Sequence, residues 1–316
     1  MKVLVTGANG FAGGWLVRAL LAAGHDVVGA VRPGTPRDGR LSEAERGAVR
    51  WAPLELDDAA SVREVAAISC DAVVHLAGVA SGGEALNDPG AAWLANAAGT
   101  ARLLGELGRQ CCAGTSDPLV VVASTAEVYG GEARRPLVET DPVAPRSPYA
   151  ASKLGAELAA RETAARTGLR LVVARAFPHT GPGQDDRFVA PALARRLQVA
   201  ARIGARVVKV GNLEPVRDFL DVRDVVAAYV ALLARGLPGE LYNVASGTGV
   251  KLAELFARLA AIIGVDAIPE VDAELVRPAD IPYLVGDAGK LRAATLWRPA
   301  FTLEQTLRDL VDAQAY

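Results

Sequence analysis

The chain has 316 residues, 51 % of them apolar and 22 % charged, which allows two modest domains and excludes a disordered or fibrous architecture. Its 34 Lys and Arg nearly balance 36 Asp and Glu, for a net charge of -2, so no basic field offers itself to nucleic acid or to a membrane surface. Three cysteines, two of them adjacent at Cys111 and Cys112, read as reduced thiols, and the well-separated His25, His75 and His179 lack metal-ligand spacing, so no metal is expected. No apolar run reaches membrane-spanning length, and strand-like Lys2-Val3-Leu4-Val5 comes at once, so the expectation is a soluble, cytoplasmic protein.

Short Val- and Leu-rich strands alternate with helix-length segments. Strands are expected at Val3–Thr6, Asp26–Val31, Val49–Leu54, Ala72–Leu76, Leu119–Ser124 and Leu169–Ala174. Near-continuous apolarity marks strands covered on both faces, as in a parallel sheet. Helices are expected at Phe11–Ala23, Ala59–Ile68, Pro89–Cys111 and Pro148–Thr167. The βα rhythm predicts a Rossmann-type doubly wound α/β sheet with right-handed crossovers. After Ala176 the rhythm breaks at Pro178, Gly181, Pro182 and Gly183. Helices near Phe188–Ile203, Asp221–Ala234, Leu252–Ile263 and Leu303–Ala313, with strands near Val207–Gly211 and Leu241–Val244, then predict a smaller C-terminal α/β substrate domain. The expected division is 1–176 for the nucleotide-binding domain and 177–316 for the substrate domain, with the chain returning to the first near 214–245.

Thr6-Gly7-Ala8-Asn9-Gly10-Phe11-Ala12-Gly13 places Gly-x-x-Gly-x-x-Gly at the first strand–helix junction. Three glycines are a weak signal in a chain with 32, but this position lets the backbone approach a pyrophosphate at a helix N-terminus. The second strand ends in Val31-Arg32 without the acid that commonly holds the ribose 2′-hydroxyl, and Arg37 and Arg40 follow. A cation there attracts a 2′-phosphate, so NADP(H) is preferred, with NAD(H) the alternative. Glu55, before Leu56, is placed after the third strand to accept from the adenine amino group.

Tyr149-Ala-Ala-Ser-Lys153 puts a phenol and an ammonium on one helix face. Only five of the 34 cations are lysines, which makes this one conspicuous. The ammonium is expected to lower the phenol's pKa toward neutrality and to make it a proton donor. Val122-Ala-Ser124-Thr125-Ala-Glu127-Val-Tyr129-Gly130 leaves a buried strand and brings hydroxyls to the sheet's carboxyl end, where one can hold a sugar oxygen.

Together these motifs resemble the extended short-chain dehydrogenase/reductase (NAD-dependent epimerase/dehydratase) family, over nearly the whole chain. The resemblance implies that Thr125 is the catalytic hydroxyl, Tyr149 the acid/base and Lys153 its partner. It implies that Leu76, Ala77 and Gly78, after His75, contact the cofactor, and that Asn96 with Gly99-Thr100 is a structural helix motif. Helices Pro89–Cys111 and Pro148–Thr167 resemble the pair that forms a four-helix homodimer interface.

Several stretches resemble the branch handling GDP-mannose derivatives: Phe177 to Gln184 with Phe188-Val189, Val210 to Phe219, Arg277-Pro-Ala-Asp280, and Gly286-Asp287 with Lys290-Leu291 and Trp297. By that likeness His179, Phe188, Val189, Arg217, Arg277 and Asp280 bind a nucleotide-diphosphate sugar, the two arginines on its diphosphate. Pro178 departs from the pattern, since relatives usually carry an Asn there that contacts the sugar nucleotide. The implied activity is NADP(H)-dependent reduction of the 4-keto group of an NDP-4-keto-6-deoxyhexose, foremost GDP-4-keto-6-deoxymannose. Glu127 keeps a 4,6-dehydratase open, with that carboxylate as base. A 4-epimerase and a non-catalytic NADP-sensing module also stay open.

Overall fold

The structure is a computed structural model that describes residues 1–36, 41–131, 133–276 and 281–314. Seven parallel strands form the central sheet: β1 (Lys2–Thr6), β2 (Asp26–Val31), β3 (Arg50–Pro53), β4 (Ala72–His75), β5 (Leu119–Thr125), β6 (Leu171–Ala176) and β7 (Leu241–Val244). Their spatial order is β7-β6-β5-β4-β1-β2-β3. This is the doubly wound arrangement expected from the alternating pattern. β6 begins two residues later than the apolar run suggests, the Leu169 amide being held by the Thr167 hydroxyl at the end of the preceding helix.

Successive strand residues face opposite layers, and both layers are apolar. Val3 and Val5 join one core and Leu4 the other; Val121 faces the first, Val120 and Val122 the second. That two-sided burial explains the unbroken Val runs, and each fully buried leucine in these layers contributes about 1.5–3 kcal/mol.

On one face lie α1 (Phe11–Ala22) and, returning from the second half of the chain, a helix at Val222–Arg235. The other face carries α2 (Ala59–Ala66), α3 (Gly99–Cys112) and α4 (Pro148–Thr167). The expected single helix from Pro89 is three joined pieces. An α-helical turn at Pro89–Trp93 passes into a π-helical segment, Leu94–Ala98, and then into α3. The widened turn brings Asn96 inward, where its amide bridges Val79 and Ser152.

A third core gathers the helices Val189–Ile203, Leu252–Ile263 and Leu303–Gln314 around Leu197, Leu255, Leu259 and Leu307. This unit overhangs the carboxyl ends of β1, β4 and β5. Strand β7, although late in sequence, pairs with β6. Among the described residues no helix is long and apolar enough to cross a membrane.

Candidate active site

One cleft of about 1010 Å³ runs along the carboxyl ends of the strands and under the C-terminal unit. That is at the upper end of small-molecule sites and suits two extended ligands end to end.

Its floor is the turn between β1 and α1. Gly7 adopts a φ of 69°, and a Cβ there would lie 2.9 Å from the Ala77 nitrogen. A Cβ on Gly13 would lie 2.0 Å from the Gly7 carbonyl oxygen. Neither position admits a side chain, and the backbone is left bare toward the cleft. Among the described residues no side chain caps α1, and no acid occupies its first turn, so its N-terminal amides suit an anion. The residues present therefore fit a dinucleotide diphosphate.

Asn9 stands in this turn and pins the loop after β2, donating to the Thr35 hydroxyl at 3.0 Å and the Pro36 carbonyl at 2.8 Å. Arg32 leads that loop on the cleft wall, with its Nε 3.6 Å from Oε2 of Glu55. The Glu55 carboxylate thus faces a guanidinium, which sequence reading did not anticipate. Arg37 and Arg40 lie outside the described residues.

β4 ends in a chain of hydrogen bonds that fixes its exit. The Thr6 hydroxyl accepts from the Leu76 and Ala77 amides at 3.2 and 3.1 Å, so its own proton goes to His75 Nδ1 at 2.7 Å. Nε2–H of His75 then donates to Thr100, whose hydroxyl donates to the Asn96 carbonyl. Burial, helped by the Lys153 charge, holds His75 down at about 3, so the ring is neutral. Gly78 follows at φ 150°, and a Cβ there would strike Asn96 Oδ1 at 2.3 Å.

Opposite lies the candidate reactive group. Thr125 ends β5 and caps the 3₁₀ turn at Ala126–Tyr129, accepting from the Glu127 amide at 3.2 Å. Ser147 caps α4 and Pro148 occupies its first turn, which sets Tyr149 at the cleft. The Ser147 hydroxyl also reaches Glu127 Oε2 at 3.5 Å, a contact that only the Ser-Pro helix start could have signalled.

The expectation for the phenol is corrected here. Burial is the largest influence on Tyr149 and raises its pKa; Glu127 pushes the same way, and the Thr125 hydroxyl opposes them. Lys153 lies one turn behind, off the cleft wall, and is itself lowered to about 8 by burial, with Glu157 opposing. In the protein alone Tyr149 therefore stays a neutral phenol.

Beyond Tyr149 the wall belongs to the C-terminal unit. His179 donates from Nδ1 to the Phe177 carbonyl at 3.1 Å and stacks on Phe11, ring centroids 6.2 Å apart and 5° from parallel. Its Nε2 is thus an acceptor, and burial lowers its pKa. Phe188, Val189 and Arg217 share this wall with Pro178, which offers no donor. Arg217 donates to the Val216 and Ile281 carbonyls, and neighbouring Asp218 ties in Ser246, Gly247 and Gly286.

Gly10, Leu56, Leu76, Ala77, Gly78 and Ser124 also line the cleft. Of the candidate residues within the described chain, only Lys153 lies off its wall. Arg277 and Asp280 lie outside the described residues. Sequence reading passed over Thr35 and Ser147, both on the wall, where Gln184 of the 177–184 stretch also lies. Among the described residues no cluster of His, Cys, Asp and Glu is arranged to hold a metal.

The family model for GDP-mannose 4,6 dehydratase matches residues 4–310. The GDP-6-deoxy-D-mannose reductase of Pseudomonas aeruginosa is 36 % identical over 313 residues, 98 % of this chain and 96 % of that protein. Among solved structures, RMD from Pseudomonas aeruginosa complexed with NADPH superposes with a TM-score of 0.82 at 33 % identity, covering 99 % of this chain and 98 % of that one. The Thermus thermophilus UDP-glucose 4-epimerase in complex with NAD gives 0.85 at 29 % identity and full coverage of both chains. With its sheet order, glycine turn and Tyr-x-x-x-Lys helix, the chain belongs to the GDP-mannose 4,6-dehydratase family, and so to the NAD(P)-dependent nucleotide-sugar enzymes of the extended short-chain dehydrogenase/reductase type.

Proposed function

We propose that this enzyme reduces the 4-keto group of an NDP-4-keto-6-deoxyhexose with NADPH, its substrate being GDP-4-keto-6-deoxymannose. The observation that carries the reading is that Thr125 and Tyr149 share one cleft with the glycine turn. Whole-length similarity to a GDP-6-deoxy-D-mannose reductase supports the choice of reaction.

Gly7, Gly10 and Gly13 with the α1 N-terminus would hold the diphosphate, Leu76 to Gly78 the adjoining wall, and Arg32 a 2′-phosphate. When bound, the cofactor supplies the hydride. Tyr149 gives its proton to the oxygen that gains charge at C4, and Thr125 hydrogen-bonds that oxygen. A phenol held above its ordinary pKa is protonated at neutral pH and ready for this donor role. Lys153 orients the nicotinamide ribose. His179, Phe188, Val189 and Arg217 receive the sugar nucleotide, Arg217 through its guanidinium. The enzyme works in the cytoplasm as a homodimer through the helices around α3 and α4, where Trp93, Leu94 and Leu158 are exposed.

One observation favours a second reading. The Glu127 carboxylate lies on the cleft wall near enough to raise Tyr149, where a 4,6-dehydratase would need its base. Incubation of the purified enzyme with NADPH and GDP-4-keto-6-deoxymannose decides between them. Stoichiometric NADPH oxidation with formation of a GDP-6-deoxyhexose is expected; conversion of GDP-mannose to its 4-keto-6-deoxy product without added NADPH would establish the dehydratase instead.

A further inference from the structure

Two charged side chains sit inside the molecule directly behind the cleft wall. Glu157 is 1 % exposed and Arg175 4 %. Glu157 follows Lys153 by four residues on α4, and Arg175 is the penultimate residue of β6. The guanidinium grips the carboxylate twice, Nε to Oε1 at 2.9 Å and Nη2 to Oε2 at 2.7 Å. The same Oε1 accepts the Ser124 hydroxyl at 2.5 Å. Arg175 also stands 4.6 Å over the Tyr129 ring, and among the described residues its Nη1 has no hydrogen-bond partner.

Stability does not account for such a pair. Desolvating two ions costs about what their attraction returns, and apolar side chains of like volume commonly do as well. A buried N–H without an acceptor adds a further penalty. What surrounds the pair is more telling: Ser124 on the cleft wall donates to Glu157, and Lys153 stands one helical turn before Glu157 on the same face of α4.

A serine hydroxyl has a single proton, and here Glu157 takes it. Toward the cleft Ser124 is left with lone pairs alone, so any ligand group that meets it must be a donor, an amide N–H or a hydroxyl. The charged and titratable groups set beside Lys153 are Tyr149 and Glu157, one turn before and after it on its own helix, and His75 at the end of β4; Arg175 lies behind Glu157. His75 is neutral, and Arg175 is bound to Glu157. Glu157 is the group that favours the Lys153 cation against burial.

We propose that Glu157, braced by Arg175, is a positioning residue of this site: it makes Ser124 an acceptor-only contact for the bound ligand and keeps Lys153 cationic. The proposal rests on the reading of Lys153 as the ammonium that orients the cofactor, but its test involves no sugar substrate.

With only five lysines in the chain, the Nζ signals of ¹⁵N-lysine-labelled protein can be followed individually, Lys153→Arg identifying the one of interest. The wild-type midpoint is expected near 8. In Glu157→Gln it is expected about one pH unit lower or more. An unmoved midpoint in a folded Gln variant overturns the proposal. Glu157→Asp keeps the charge but withdraws the acceptor from Ser124. It is expected to hold the midpoint while weakening NADPH binding about fivefold, the worth of one hydrogen bond. An Asp variant that binds NADPH like the wild type, or that loses the midpoint, also overturns it. Failure of the reductase reading would leave these titrations unaffected.

Discussion

Arg32 and Glu55 face each other across the ends of β2 and β3, Nε to Oε2 3.6 Å apart, at the place where nucleotide folds read the adenosine ribose. The cation that would draw a 2′-phosphate is therefore partly answered by a carboxylate of the same protein. Both side chains are substantially exposed, so the pair itself is worth about 0.2–1 kcal/mol. Glu55→Gln is expected to tighten NADPH about two- to fivefold, while Arg32→Ala is expected to weaken it about tenfold or more and to leave NADH unchanged. Fluorescence titration of each variant with both nucleotides checks this, and equal losses for NADPH and NADH in Arg32→Ala would remove Arg32 from 2′-phosphate recognition.

Tyr149 is the proposed proton donor, and Glu127 the residue that separates two reactions. Tyr149→Phe is expected to lower turnover about a thousandfold with cofactor affinity intact. Glu127→Gln is expected to keep most ketone reduction, since no C5 proton has to be removed. Loss of reduction in Glu127→Gln, with Tyr149→Phe near normal, would reverse the two roles. Steady-state NADPH oxidation on the keto sugar measures both.

Gly13 permits no Cβ without displacing the Gly7 carbonyl. Gly13→Ala is expected to cost about 1–3 kcal/mol of stability by overpacking and to abolish dinucleotide binding. Chemical denaturation and NADPH titration read the two effects separately. An Ala variant that binds NADPH normally would show that the turn does not cradle the diphosphate.

His75 makes stability depend on pH. Its ordinary pKa is 6.5, and burial holds it at about 3 in the fold, so between these values the unfolded chain carries a proton that the folded one refuses. Stability is full above pH 6.5 and drains as pH falls toward 3, at about 1.4 kcal/mol per pH unit from this group. His75→Gln is expected to be less stable at pH 7 but to lose less on acidification to pH 5. Urea unfolding at the two pH values tests it, and equal acid losses in both proteins would refute the assignment.

What was legible in the sequence was local. The glycine turn and Tyr149-x-x-x-Lys153 are carried by spacing along one chain segment, and the apolar runs announced two-sided strands. Pairings between distant segments were not legible. Glu55 was placed by its position after a strand, and nothing in that position announced Arg32 at the neighbouring strand end, which it faces. The Tyr149 pKa was expected to fall because its helix neighbour is obvious in sequence, whereas burial and Glu127 are properties of the assembled cleft. The π-helical turn at Leu94–Ala98 carries no breaker residue; it exists because the Asn96 amide finds Val79 and Ser152. Glu157 had a signal, the third polar residue at four-residue spacing after Tyr149 and Lys153, but its partners Ser124 and Arg175 come from other strands.

The edge of the sheet carries a last consequence. β7 is made of residues 241–244, yet it is the neighbour that satisfies the outer backbone groups of β6, and the helix at Val222–Arg235 shields the layer containing Leu16, Val17 and Leu20. The chain is interlaced: its first 176 residues cannot close their own sheet. A fragment cut after Ala176 would bare both a ladder edge and an oily face, and would stick to its own copies rather than stand alone as a nucleotide-binding module.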